Sequence, residues 1–322
     1  MSRRSSSTHR CWLLLSLCAV ALAAGCRRES AELPGAETGP ASAVRQLAHY
    51  LKDDDLVGYA RAAVPPAQYT RLEAAWSAGD SRWPLSELPL HQKLPGILAT
   101  LSAADAETRL QRAFKTQIAG QAAGVRQAAH SLGLFGAQYL GSQGDYSAEQ
   151  RAHYVQLVSA LSEWAMAAPL SDPKLAQKAI GNLTAVARAA GLDSDAAFQQ
   201  AGMSGSLQRL GPVLHGFKQV LASYGLSLDD SLTQLRAGLV VERGDQATVR
   251  VQYPLAGKEL DIQVPLVRRE GRWYLAQILT EVDTVLAAAA AAEAARGAAP
   301  PTADPAGAPD AAEKPAISSA KP

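Results

Sequence analysis

Apolar residues recur at helical spacing from residue 41 to about residue 235, and then switch to alternation. Val44, Leu47, Ala48 and Leu51 stand at i, i+3, i+4 and i+7, one face of an amphipathic helix. Asp53-Asp54-Asp55 interrupts it. An Asp here can cap the next helix, whose face is Leu56, Tyr59, Ala60 and Ala63. Pro65-Pro66 breaks that helix, and Tyr69, Leu72 and Trp76 mark another short one. The spaced prolines of Trp83-Pro84, Leu88-Pro89 and Leu94-Pro95 forbid one long helix over 77–103. Asp105 to about His130 reads as helix, with Leu110, Phe114 and Ile118 on one stripe. Residues 130–144 are glycine-rich and mixed in pattern. Ser147-Ala148-Glu149-Gln150 is a capping box, and the helix after it carries Tyr154, Leu157, Val158, Leu161 and Trp164. Asp172-Pro173 caps the next, with proline at its first position, and Gly191 stops it. A further helix near Pro212 carries Phe217, Leu221 and Tyr224 and ends at Gly225.

The period then becomes two. Leu239 and Val241 lead to a turn at Gly244-Asp245. Ala247, Val249, Val251 and Tyr253 alternate with polar residues up to a turn at Ala256-Gly257. Leu260, Ile262, Val264 and Leu266 follow, and Glu270-Gly271 turns into Trp273 and Leu275. This predicts an antiparallel meander with one buried face, which helices must cover because so few strands are marginal alone. Thr280 opens a final Ala-rich helix to about Arg296. The expected fold class is α+β: a predominantly helical body with a small C-terminal antiparallel β-meander packed on helices. The helical region spans 41–235. The meander and last helix span 236–296, forming one domain with it. Residues 297–322 are Pro, Ala, Asp and Gly without apolar periodicity and read as disordered.

The start of the chain has a different character. Arg3, Arg4 and Arg10 precede an apolar run from Trp12 to Gly25, too short for the roughly 20 residues of a membrane-spanning helix. The run closes on Leu22-Ala23-Ala24-Gly25-Cys26. This resembles a bacterial lipoprotein signal peptide with its lipobox, although Ala23 stands where that pattern usually has Leu. The resemblance implies cleavage after residue 25, diacylglycerol on the Cys26 thiol and an acylated amine. Two or more chains on one residue would anchor it firmly. The implied partner is therefore the membrane, reached through the lipid on Cys26. Arg27, in place of a retention Asp, points to the outer membrane, facing the periplasm. Residues 26–40 would be a flexible tether.

Composition narrows the remaining classes. Cys11 and Cys18 leave with the signal and Cys26 becomes the anchor, so the folded part has no thiol for catalysis, metal or disulfide. Losing three arginines takes the formal charge from +1 to slightly negative, which offers no electrostatic footprint for nucleic acid. No cofactor is implied.

The stretch Val264-Pro265-Leu266-Val267-Arg268-Arg269-Glu270-Gly271-Arg272-Trp273-Tyr274 resembles a strand–turn–strand of nuclear-transport-factor-2-like domains and other envelope lipoproteins. The helical opening from Val44 to Ala63 would suit that superfamily's first helices. The resemblance covers about 40 residues and implies at most a cone with a long helical insertion over 77–235. It brings no catalytic residue.

No stretch carries a recognisable catalytic constellation. His49, His91, His130, His153 and His215 include no pair at i, i+3 or i+4, so a zinc site would have to be assembled by the fold. Ser204 in Gly202-Met203-Ser204-Gly205-Ser206 misses the G-x-S-x-G elbow and reads as a helix-connecting loop. Gly136 to Ser142 lacks the P-loop lysine. Glu163 beside Trp164 is either a perturbed carboxylate or a solvated neighbour of a core Trp. Trp83, Leu85 and Leu88, held among prolines, form a candidate partner surface. They would equally serve as a lid over the core. The leading expectation is a non-enzymatic envelope lipoprotein that binds a partner or ligand. A periplasmic hydrolase assembled only in the fold, or a carrier with an apolar cavity under the meander, are the alternatives.

Overall fold

A computed structural model describes residues 39–298, apart from Pro89 and residues 143–145. Cys26, the tether up to residue 38 and the segment from residue 299 lie outside the described residues. The fold is α+β, with a small C-terminal four-stranded antiparallel sheet on a largely helical body. The opening helices are α1 (Pro40–Lys52), α2 (Leu56–Ala63) and α3 (Pro66–Ala78). Two 3-10 turns, Leu85–Glu87 and His91–Lys93, lead into α4 (Leu94–Ser102) and α5 (Ala106–Gln117). The long helices are α6 (Ala122–Ser142), α7 (Ala148–Ala167), α8 (Pro173–Ala190) and α9 (Asp195–Ser223), followed by the short α10 (Leu228–Thr233). The strands β1 (Arg236–Arg243), β2 (Gln246–Leu255), β3 (Lys258–Arg269) and β4 (Arg272–Leu275) run directly into α11 (Ala276–Ala298). Among the described residues no helix is long and apolar enough to cross a membrane.

The local signals act as their chemistry dictates. Asp55 accepts from the Gly58 N–H at 2.7 Å. Ser147 and Gln150 exchange hydrogen bonds of 3.2 and 2.9 Å across the first turn of α7. Asp172 Oδ1 takes the amides of Lys174 and Leu175. Each satisfies donors that a helix start leaves free.

Several expectations need correction. The helix expected over 105–130 is broken between α5 and α6, where Gly120 adopts φ 75°. The glycine-rich stretch from residue 130 is helix up to Ser142. α6 lies along α7 so closely that a Cβ on Gly133 would sit 2.1 Å from Ser162 Oγ, and one on Gly136 3.2 Å from Val158. Close packing there outweighs the ~1 kcal/mol that each glycine costs a helix. The loop expected at 202–206 shrinks to a kink in α9 at Gly202, with φ 68°. Further along α9 the inward residue is Lys218, whereas Phe217 is 47% exposed.

The sheet is a meander in the order β1-β2-β3-β4, with Val249 opposite Val264 and Leu266 opposite Leu275. Val249, Val251, Leu266 and Trp273 pack with Ala43 and Val44 of α1. Trp273 is buried, as its register predicts. The edge strand β1 departs from expectation. A register shift between Leu239 and Val241 breaks the alternation, and both side chains are exposed. The larger core joins Leu72 and Trp76 of α3 to Phe198 and Leu207 of α9, and α11 adds Val282 and Leu286. The last helix is thus built into the helical body.

Candidate binding site

Because β4 continues into α11 without a loop, Leu275, Gln277, Ile278 and Glu281 form one wall of a cavity of about 530 Å³. β3 supplies Ile262 and Val264, α2 supplies Tyr59, and the stretch after α3 supplies Trp83 and Glu87. The capped start of α7 brings Glu149, Gln150 and Tyr154. Gln150 donates to Gln277 Oε1 at 3.2 Å, and Gln277 donates to Glu281 Oε1 at 2.8 Å. This relay fixes the Glu281 carboxylate against the α7 end. The aliphatic side chains provide an apolar bed with a few convergent polar groups at one end, the usual composition of a small-molecule site.

The polar end is acidic. Loss of surrounding water, then a hydrogen bond and the charge of Glu281, push the Glu87 carboxyl up to about 8. Burial, then the charges of Glu87 and Glu281, push the Tyr59 hydroxyl up to about 12. Two carboxyls this close cannot both ionise cheaply, so at neutral pH Glu87 keeps its proton and donates to Glu281. Among the described residues, no lysine, arginine or histidine lines the cavity. Trp83, 1% exposed, lines it too, and its indole Nε1–H has no acceptor among the described residues.

Comparison with protein-family models, curated proteins and solved structures finds no match to this chain.

The residues singled out from sequence are placed elsewhere or differently. Of the candidate partner surface, Trp83 and Leu85 belong to the helical core, because the turn after α3 folds back over Leu72 and Leu98. Only Leu88 is exposed, at 49%. His153 is buried between the Asp261 carbonyl and the Tyr253 hydroxyl, and desolvation lowers its pKa. His215 meets Asp54 at 2.8 Å. Ser204 donates to Glu73 at 2.5 Å and contacts the Tyr69 hydroxyl at 2.7 Å. An α-helix rises about 1.5 Å per residue, so His215 lies roughly 16 Å further along α9 and makes no triad with Ser204. Glu163 pairs with Lys258 at 2.5 Å. Gly136 to Ser142 lies within α6. No cluster of three or more metal-ligating side chains occurs among the described residues.

A broader groove of about 770 Å³ runs past Asp54, Ser204 and His215. Its Asp54 is already held by His215 and Lys218, and its Ser204 by Glu73 and Tyr69, so the acidic cavity is the better candidate. Sequence reasoning passed over Glu87 and Glu281 because neither belongs to a motif. The available signal was weak: Glu281 stands three residues after Ile278 and beside Val282, at the border of the inward stripe of α11.

Proposed function

We propose that this chain is a lipid-anchored envelope protein that binds a small amphiphilic ligand in the cavity between the meander and α2, α7 and α11. The anchor rests on the Leu22–Cys26 string. The ligand reading is carried by one observation, an apolar cavity of about 530 Å³ ending in convergent polar groups. That volume falls within the roughly 300–1,000 Å³ of small-molecule sites. Partner binding through the proline-rich loop is less well supported, since Trp83 and Leu85 are spent on the core.

The test is titration with the uncharged fluorophore N-phenyl-1-naphthylamine. Saturable binding of one probe per chain is expected. It should be lost in Val264→Phe and Ile278→Phe, which fill the cavity from different walls; two variants guard against misfolding of either. Absence of saturable binding to the wild type would overturn the proposal. So would undiminished binding by two folded variants.

A further inference from the structure

We infer that the ligand is an organic cation, an alkyl- or arylammonium amphiphile, with its ammonium seated between Glu87 and Glu281 and its apolar body along Ile262, Val264 and Ile278. This rests on the ligand-binding reading above. The two carboxyls come from elements far apart in sequence and meet at the polar end of the cavity. Glu149 on α7 adds a third carboxylate to the lining. Among the described residues, the remaining titratable groups that face the pair are Tyr59 of α2 and Tyr154 of α7. The strands contribute only neutral residues to the described wall, and the described lining holds no basic side chain, although the charge of Arg151 bears on Glu149. Such a cavity rejects an anion and favours a cation, because the low dielectric strengthens both effects.

Seating the ammonium displaces the proton that Glu87 shares with Glu281, so binding releases a proton to solvent. Affinity then climbs as pH rises towards about 8, while the amine itself stays protonated.

Calorimetric titration with dodecylamine, dodecanol and dodecanoate, each below its aggregation concentration, tests this. Dodecylamine should bind about tenfold or more tightly than either of the others, as expected of charge-assisted hydrogen bonds. In buffers of different ionisation enthalpy it should release close to one proton below pH 8. The Glu87→Gln/Glu281→Gln double variant should lose the preference while still binding N-phenyl-1-naphthylamine. Equal or tighter binding of dodecanol or dodecanoate would overturn the cation assignment and leave the cavity reading standing. Failure of all three probes, with the naphthylamine still bound, would do the same. Failure of the naphthylamine as well would remove both.

Discussion

Trp76→Ala is expected to lower folding stability by about 4 kcal/mol, read as a shifted midpoint in urea denaturation. Trp76 is completely buried where α3 meets α9. Its indole N–H donates to the Phe198 carbonyl at 3.1 Å, and the Arg82 guanidinium lies 4.9 Å from the ring centroid. Truncation therefore opens a cavity, removes a hydrogen bond and frees the arginine together. Trp76→Phe keeps most of the volume and should cost clearly less. A loss below about 1 kcal/mol for the alanine variant would mean that α3 and α9 do not share this core.

Lys218→Met should cost about 3 kcal/mol, because it strands charges that were matched. Lys218 is 3% exposed. Its ammonium reaches the Leu51 and Lys52 carbonyls at 3.2 and 2.7 Å and the carboxylates of Asp229 and Asp54 at 2.5 and 2.9 Å. It thereby caps the C-terminal end of α1, ties α9 to α10 and holds the α1–α2 turn, where Asp54 has φ 59°. Burial pulls the lysine pKa down, but its hydrogen bonds to Asp229 and Asp54 raise it overall. Its stabilising contribution is thus complete below the unfolded-state value of about 10.4 and is lost as pH rises through the higher folded value. A neutral or stabilising Lys218→Met, measured by the same denaturation, would show that desolvation cancels the pairing.

The contrast between these two residues shows what was legible in the sequence. Trp76 stands at i+4 from Leu72 on a stripe that any helical reading finds, and the period-two run from Ala247 to Tyr253 places β2 with its inward face correct. Such signals are local: a cap, a turn or a repeat needs only its neighbours. Lys218 and Phe217 invert the rule, because Asp54 and Asp229 reward a buried ammonium more than the helix periodicity rewards a buried ring. Gly133 behaves similarly. A helix breaker in isolation, it becomes a point of close approach between α6 and α7. The candidate site was the least legible part. Tyr59, Glu87 and Glu281 are brought together only when α11 returns to α2 and α3, and no single stretch announces that meeting. Trp83, read either as a partner surface or as a cover over the core, is buried in the core and also lines the cavity wall.

The central claim is that a ligand occupies the cavity between the meander and α11. It is tested most directly by photo-crosslinking with an alkylamine bearing a diazirine at its apolar end, followed by peptide mapping. Adducts are expected on the segments around Ile262–Pro265 and Leu275–Glu281, and should disappear in Ile278→Phe. The exposed apolar side chains of α6, Leu132, Phe135 and Tyr139, offer the main competing surface. Adducts concentrated there, and unchanged by Ile278→Phe, would contradict the claim.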